Sequence, residues 1–292
     1  MLSIKPDLPL DPIIIEILRH VEAQAEKSDI PYFVVGALAR DILLHHVYGI
    51  HIPRPTRDID FGIAMKDWDQ FFDFKSVLCD TGMFFQVKNM VHRLSYHPNK
   101  IARGIPVDLI PFSSIESPDG VIAWPPDKNE IMTVIGFDAA NANSLTVQLS
   151  GDGMMARVAS IPGLVLLKLV AWFKRGQTNP KDAQDLILLM RNYADAGNAD
   201  QLYGEKLPLL ESVNFELERA GAILLGEDVA AIARPKTLDY LNTKLIDLHE
   251  RDRLLTQLAL GVTWTDHDSR LNAAESLLDA LCTGLTSNYT KP

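Results

Sequence analysis

Several features that would assign a chain to a familiar class are scarce in this sequence of 292 residues. It has two cysteines, Cys79 and Cys282, far apart in the chain, so neither a disulfide nor a zinc framework is indicated. We interpret them as buried thiols of a reducing cytoplasm. The start of the chain lacks a basic region followed by a long apolar stretch, so we expect no signal peptide. No apolar run is long enough to cross a bilayer. These absences predict a cytoplasmic protein without a membrane partner.

An excess of basic residues is also absent. The formal net charge is −10, and residues 195–292 carry −7 of it, with 16 acidic and nine basic residues. Because affinity for nucleic acid comes largely from neutralising phosphates, so acidic a chain is a poor general nucleic-acid binder. One segment, residues 86–103, is an exception without any acid. Its basic side chains are Lys88, His92, Arg93, His97, Lys100 and Arg103. This segment meets either an RNA acceptor or a triphosphate, or it is a solvated hairpin.

The chain shows no internal repeat, flexible linker or low-complexity tract, and its length predicts two domains or one domain with a helical extension. Up to about residue 160, short alternating segments typical of strands mix with helical ones. We expect residues 113–143 to be loop with short strands. Beyond residue 161 the periodicity is almost entirely helical, with amphipathic stretches near 235–259 and 267–284. The three histidines His45, His46 and His51 have no matching carboxylate pattern, so we interpret them as ordinary helix or loop residues.

Three aspartates lie on apolar, strand-like segments of the first part. Asp58 and Asp60 belong to DIDFGIAM, and Asp108 belongs to GIPVDLIPF. Successive side chains of a strand point to opposite faces, so Asp58 and Asp60 share one face while Ile59 and Phe61 point into a core. If the two strands are neighbours in one sheet, the three carboxylates meet above it.

Such a cluster has a chemical use. Mg²⁺ takes oxygen ligands and is commonly held by carboxylates and substrate phosphates, and two such ions clamp the attacking and leaving oxygens of an in-line displacement. Three carboxylates without a cation would repel one another. The pattern therefore predicts a divalent metal, Mg²⁺ or Mn²⁺. The structural alternative is an Asp-x-Asp pair at a strand end or on a solvated face, although a mid-strand acid such as Asp108 needs a partner.

A glycine turn precedes the acids. Residues 32–35 predict a short buried strand that ends at Gly36, and residues 37–47 predict a helix. A strand, a glycine and a helix start together present backbone N–H groups to an anion, and glycine lets the backbone approach a phosphate closely. Arg40 either binds a phosphate through its guanidinium fork or forms a salt bridge with a neighbouring acid.

The order of glycine turn, Asp-x-Asp strand and third-acid strand, over about residues 30–112, resembles the nucleotidyltransferase superfold, also called polymerase-beta-like. The resemblance implies site residues in two groups. They are Asp58, Asp60 and Asp108 for catalysis and metal binding, and Gly36, Ala37 and Arg40 for nucleotide binding. The chain departs from the family in having Gly36-Ala37 where Gly-Ser or Gly-Gly is usual, and in a loop, YGIHIPRPTR, inserted before Asp58.

A second region, IPGLVLLKLVAWFKRGQTNPKDAQDLILLM, resembles the helical part of AbiEii-type nucleotidyltransferases, which include bacterial toxin components and abortive-infection proteins. The resemblance implies that Lys168 contacts the nucleotide triphosphate, and that Asp182 or Asp185 orients this lysine or faces the acceptor. Lys168 lies in an otherwise apolar helix, where an unpaired ammonium would be costly, so one of these acids is its natural partner. In the structural alternative Lys168 snorkels, and Lys181 and the acids only begin a helix after Pro180.

Together the resemblances imply an α+β fold. A small mixed nucleotidyltransferase sheet flanked by helices forms a catalytic domain, residues 1–160. A mostly helical C-terminal domain, residues 161–292, follows and contributes Lys168 to the active site.

The implied activity is metal-dependent transfer of an NMP from an NTP to an acceptor hydroxyl, with two metal ions at Asp58 and Asp60, and with Asp108 as further ligand and general base. The acceptor is expected to be tRNA or another RNA, as for a toxin with a cognate antitoxin protein as partner. A small-molecule, aminoglycoside-type adenylyltransferase is the alternative that suits an acidic C-terminal part. A non-catalytic nucleotide-binding homologue would have no reason to keep three repelling acids. The VVGALARD segment also resembles the poly(A) polymerase and CCA-adding head, but the Arg-Arg-Asp run of that family is missing.

Overall fold

The computed structural model describes residues 2–53, 56, 58–98, 104–176, 179–262 and 267–287. By its internal contacts the chain divides into two compact units, Met1–Ser160 and Ile161–Pro292. Lys100 and Arg103 of the basic segment, and part of the loop inserted before Asp58, lie outside the described residues.

The first unit is built on a mixed sheet. Its strands are β1 (Leu2–Ser3), β2 (Tyr32–Val35), β3 (Ile59–Ala64), β4 (Phe84–Gln86), β5 (Arg93–Tyr96), β6 (Ile105–Phe112), β9 (Leu145–Gln148) and β10 (Met155–Val158). Two more, β7 (Val121–Ala123) and β8 (Ile131–Thr133), form a separate antiparallel pair. Within the described residues the spatial order of the main sheet is β1-β9-β10-β2-β3-β6-β5-β4. The central strands β3 and β6 are parallel, whereas β2 and β5 run antiparallel to them on either side.

The helices of this unit follow signals that are local in the sequence. They are α1 (Pro12–Lys27), α2 (Gly36–Asp41), which continues as a π-helical segment (Ile42–Val47), α3 (Trp68–Asp80) and α4 (Phe137–Ala142). Asp11 caps α1 by accepting from the N–H of Ile13 at 2.9 Å, and Pro12 occupies its first turn. Asp67 caps α3 by accepting from the N–H of Gln70 at 2.8 Å. Helix α4 lies in the segment predicted as loop with short strands.

The strand alternation divides the central sheet into two faces. Ile59, Phe61 and Ile63 of β3 are fully buried on one face, as are Val107 and Leu109 of β6. Their burial fixes the register, because a shift of one residue would expose all of these apolar side chains.

The opposite face holds an aromatic cluster at the far end of β3. A Cβ on Gly62 would lie 2.4 Å from a ring carbon of Phe33, so only glycine lets that ring cover β3. The Phe33 ring packs edge-on against Phe112 and Phe137, with centroids 5.8 and 6.2 Å away. The other end of this face carries the aspartates.

The second unit is helical throughout its described residues. Its helices are α5 (Ile161–Arg175), α6 (Lys181–Asn192), α7 (Ala199–Tyr203), α8 (Leu207–Ser212), α9 (Leu217–Ile232), α10 (Pro235–Ile246), α11 (Leu248–Ala259) and α12 (His267–Thr286). Between α6 and α7 the segment Ala194–Asn198 bends at Gly197, where φ is 88°. The amphipathic stretch near 235–259 is two helices, because Asp247 ends α10 and caps α11 by accepting from the N–H of Glu250 at 2.9 Å.

Helices α9 and α12 approach each other at two glycines. A Cβ on Gly284 would lie 1.9 Å from the carbonyl oxygen of Ile223, and one on Gly226 would lie 2.2 Å from that of Leu281. A mixed sheet with flanking helices, followed by a mostly helical unit, confirms the predicted α+β class. The described residues contain no helix whose length and hydropathy suit a membrane crossing.

Candidate active site

Strand register brings the aspartates to one end of the sheet. Asp60 of β3 lies directly opposite Asp108 of β6, and partners in a parallel ladder point to the same face. Asp58 is two residues before Asp60, just ahead of β3, and is exposed, whereas the other two are partly buried. The structure therefore brings two of the predicted acids together on neighbouring strands, with the third adjacent along the chain.

Gly36 closes the same end of the site. It begins α2 immediately after β2, whose last residue, Val35, pairs with Asp60. Its φ is +66°, a conformation that L residues other than glycine rarely adopt. A Cβ at this position would lie 2.2 Å from Oδ2 of Asp60. Both the backbone conformation and the close approach thus require glycine here. Ala37, which follows in the helix, is half-buried.

Arg93 binds the third acid. It lies on β5 directly opposite Asp108, and its Nε and Nη2 donate to the two carboxylate oxygens, each at 2.6 Å. The Arg93 side chain is 28 % exposed and that of Asp108 is 13 % exposed. The hydrogen bond to Asp108 raises the pKa of the Arg93 guanidinium against the effect of burial, and the charges of Asp108, Asp58 and Asp60 raise it further. The guanidinium is therefore within electrostatic reach of all three acids.

The fit of a metal follows from these contacts. The candidate donors are the carboxylates of Asp60 and Asp108 on one face and that of Asp58 just ahead of β3, and carboxylates suit a hard divalent cation. In the described residues, however, no three or more His, Cys, Asp or Glu side chains are arranged to hold one. Both oxygens of Asp108 accept from Arg93. The chemistry of the acids fits a cation, but Arg93 already takes up part of the acceptor capacity of Asp108 and places a positive charge beside it.

Arg40 is 3 % exposed and does not present itself to solvent. Its Nε donates to Oδ1 of Asp41 at 2.7 Å, and Oδ2 of Asp41 accepts from the N–H of Thr56 at 2.9 Å. The hydroxyl of Thr56 accepts in turn from the N–H of Asp58 at 3.2 Å. Of the two roles that the sequence left open for Arg40, these contacts match the salt bridge. The chain of contacts supports the backbone that leads into Asp58.

Lys168 lies in the helical unit with both of its candidate acids. It is 7 % exposed, and its Nζ donates to Oδ2 of Asp185 at 2.5 Å. Oδ1 of Asp182 is 3.6 Å from the same nitrogen, and Oδ2 of Asp182 accepts from Nε of Arg175 at 3.2 Å. Asp185 is thus the closer partner of the buried ammonium, and Asp182 joins it to a largely exposed arginine.

The remaining candidates have ordinary contacts. The ring of His92 packs on Trp124, with centroids 5.4 Å apart, and burial lowers its pKa. His97 packs edge-on against Phe85, while Lys88 is exposed. His46 bonds through Nδ1 to the carbonyl of Leu8 at 2.7 Å.

Both cysteines are free thiols, as predicted, but they are partly rather than fully buried. Cys79 lies in the last turn of α3. Cys282 lies beside Arg251, and its Sγ is 3.9 Å from Nη1 of that arginine.

The Arg93–Asp108 pair is the feature that sequence reasoning missed. The sequence places Arg93 in a basic segment that either meets a ligand or is a solvated hairpin, not with the acids. Its place opposite Asp108 depends on the register between β5 and β6, and no local pattern encodes that register.

Comparison with known proteins identifies the class. A model for a nucleotidyl transferase family matches residues 28–208, a range that includes Gly36 and all three aspartates. The protein is therefore a nucleotidyltransferase. The model is that of the nucleotidyl transferase AbiEii toxin of type IV toxin–antitoxin systems, and it covers more than half of the chain. The chain belongs to the AbiEii nucleotidyltransferase family, which confirms the resemblance found in the sequence.

Three solved structures that match the chain are distant from it in sequence. An antigenic nucleotidyltransferase-like protein from Paracoccidioides brasiliensis is 16% identical, with 70% of this chain and 91% of that chain covered and a TM-score of 0.40. ANT(2")-Ia in complex with adenylyl-2"-tobramycin is 14% identical, with coverages of 69% and 96% and a TM-score of 0.37. The Thermotoga maritima CCA-adding enzyme with tRNA is 12% identical, with coverages of 96% and 82% and a TM-score of 0.32. No protein of curated function matches the chain.

Proposed function

We propose that the acid face of the first unit, Asp58, Asp60 and Asp108, transfers an NMP from an NTP to an acceptor hydroxyl in a metal-dependent reaction. One observation carries this proposal: Asp60 lies opposite Asp108 on parallel strands, with Gly36 packed against its carboxylate. A glycine at a helix start beside carboxylates suits a nucleotide triphosphate with its cations.

Each residue has a role in the proposed reaction. Asp58 and Asp60 would hold a divalent cation, Mg²⁺ or Mn²⁺, which when bound stabilises charge on phosphate oxygens. The backbone at Gly36 and Ala37 binds the triphosphate. A carboxylate oxygen of Asp108 accepts the proton of the acceptor hydroxyl. The acceptor oxygen then bonds to the α-phosphorus, the bond from that phosphorus to the bridging oxygen breaks, and pyrophosphate leaves.

We further propose a role for the helical unit. We assign residues 1–160 as the catalytic domain, and residues 161–292 as a helical domain that provides Lys168 to the triphosphate. Asp185 holds the ammonium at 2.5 Å and would orient it. Asp182 then either steadies the same lysine or faces the acceptor. A phosphate contact of Arg40 stays a prediction, since its described contacts are with Asp41.

The proposed acceptor is an RNA, with tRNA as the first candidate, and a cognate antitoxin protein would be the partner in a cytoplasmic system. Family membership supports this choice, as does the acid-free segment with its exposed Lys88. An aminoglycoside-type small molecule is the second candidate, which the charge of −7 over residues 195–292 favours because such acceptors are cationic.

The test incubates the protein with Mg²⁺, each α-³²P-labelled NTP in turn, and either total tRNA or a panel of aminoglycosides. The Asp58→Ala, Asp60→Ala double variant should lose transfer. The matched control, Asp69→Ala, Asp73→Ala, removes two exposed aspartates of α3 and should keep it. Label on RNA or on an aminoglycoside identifies the acceptor class. Full activity of the Asp58, Asp60 variant would refute the proposed site, and NTP binding without any transfer would favour a non-catalytic homologue.

A further inference from the structure

The acid face already contains a positive charge, the guanidinium of Arg93. Arg93 and Asp108 are cross-strand neighbours, and the guanidinium fork engages both oxygens of the carboxylate at 2.6 Å. Bidentate pairs of this kind are among the stronger charge-assisted hydrogen bonds. The charges of Asp58 and Asp60 also act on Arg93. A cation that approaches the three acids therefore meets a resident cation already bound to one of them.

The backbone of Arg93 is held on several sides, so its side chain is the part that can move. The N–H of Arg93 donates to the carbonyl of Met90 at 3.1 Å, and its carbonyl accepts from the N–H of Val87 at 3.4 Å. The preceding turn is tied down by Lys75, which is 4 % exposed and donates to the carbonyl of Val91. The guanidinium itself is not enclosed, because the Arg93 side chain is 28 % exposed. A rotation of this side chain exchanges its partner without disturbing β5.

We propose that Arg93 is a positioning residue that holds Asp108 before substrate arrives and releases it when a divalent cation and an NTP bind. The phosphates of the NTP offer the guanidinium a replacement partner of the same bidentate geometry. Arg93 thereby couples completion of the metal site to the arrival of substrate, and it suppresses cation binding at Asp108 without substrate. This inference rests on the proposed function of the acid face.

The first half of the proposal is that Arg93 weakens cation binding without substrate. It is tested by measuring Mn²⁺ binding to the full-length protein without NTP, with electron paramagnetic resonance as the readout. Arg93→Gln removes the competing charge, so Mn²⁺ should bind about tenfold more tightly, which corresponds to about 1.4 kcal/mol, the scale of one partly screened charge-assisted pair. Arg93→Lys keeps the charge but loses the fork, so its affinity should lie between the two. The control Arg157→Gln, in the same sheet but bonded to Ser144 and the carbonyl of Asn141, should match the wild type. Circular dichroism verifies that each variant is folded.

A double-mutant cycle tests whether the gain comes from Asp108. In an Asp108→Asn background, Arg93→Gln should lose most of its tightening of Mn²⁺ binding, because only the weaker interaction of Arg93 with Asp58 and Asp60 remains. The second half of the proposal predicts that Arg93→Gln weakens the binding of NTP. The substitution removes a partner of the phosphates, so it should raise the KM for NTP. A variant that fails to fold cannot bind Mn²⁺ more tightly and NTP more weakly at the same time.

The outcomes separate the two proposals. If Arg93→Gln leaves the Mn²⁺ affinity unchanged or weakens it, or if the gain persists in full with Asn at position 108, the role of Arg93 is wrong while the active site stands. If KM is unchanged, the transfer of Arg93 to phosphate is refuted. If neither the wild type nor Arg93→Gln binds Mn²⁺ even with NTP, the metal-dependent site and the inference fail together.

Discussion

Gly36→Ala is the substitution that most directly tests the geometry of the acid face. The new methyl group would lie 2.2 Å from Oδ2 and 2.9 Å from Cγ of Asp60, but 3.2 Å from its Cβ. The first two atoms move when the side chain of Asp60 rotates, whereas the Cβ contact is only slightly tight. We therefore expect Asp60 to rotate away and β3 to stay in place. The substitution should damage the site more than the fold.

Two separate terms set the change in the free energy of unfolding. Alanine in the left-handed region costs about 1–2 kcal/mol, and the reduced freedom of the unfolded chain returns about 0.4–1 kcal/mol. Gly82→Ala isolates these terms, because Gly82 has a φ of +75° and no neighbour within 4 Å of an added Cβ. We expect the free energy of unfolding to fall by about 1 kcal/mol in Gly82→Ala, and by no more than about 1 kcal/mol further in Gly36→Ala. Displacement of Asp60 by about 1 Å should lower NMP transfer about 100-fold in Gly36→Ala alone.

Two assays check this prediction. Urea denaturation gives the free energies of unfolding, and NMP transfer to whichever acceptor the labelling experiment identifies gives the activity. The decisive comparison is activity at equal stability. If Gly36→Ala and Gly82→Ala lose similar stability and both keep wild-type activity, the position of the Asp60 carboxylate beside Gly36 is not needed for catalysis. If Gly36→Ala unfolds the protein, the assumption that Asp60 can rotate is wrong.

Two further predictions concern the helical unit. Lys168→Met leaves buried carboxylates without their cation, so urea denaturation should show that the free energy of unfolding falls by about 3–5 kcal/mol. Replacing Asp185 by Asn in the same chain should restore part of this stability. A fall of less than about 1 kcal/mol would contradict the pairing. Gly284→Ala places a methyl group 1.9 Å from the carbonyl oxygen of Ile223. The overpacking costs about 1–3 kcal/mol, whereas the helix preference of alanine contributes about 1 kcal/mol in the other direction. The melting temperature should therefore fall. Gly151→Ala, with no neighbour within 4 Å, is the control, and equal melting temperatures would show that α9 and α12 separate freely.

The part of the site that could be predicted from the sequence depends on local periodicity. The spacing of Asp58 and Asp60 and the apolar residues between and after them specify a face without any knowledge of neighbouring strands. Gly36 was likewise evident from a strand, a glycine and a helix in succession. Each of these signals lies within a few residues of the position it describes.

The part that could not be predicted depends on pairing between distant segments. Arg93 meets Asp108 only because β5 and β6 pair in one register. The sequence left two roles open for Arg40, and its contact with Asp41, in a network that reaches Thr56, is visible only in the folded chain. The break at Asp247 had a local capping signal, but the amphipathic period continues across it and conceals the two helices.

The edges of the main sheet have a consequence for the behaviour of the protein at high concentration. As described, the sheet ends in β1 and β4, which are two and three residues long. An edge strand exposes unpaired N–H and C=O groups that can template a strand from another molecule, and short edges leave few of them. The long central strands, whose apolar side chains would make them prone to assemble, have hydrogen-bonded neighbours on both sides. Growth of the sheet into fibrils by strand addition is therefore disfavoured while the fold is intact.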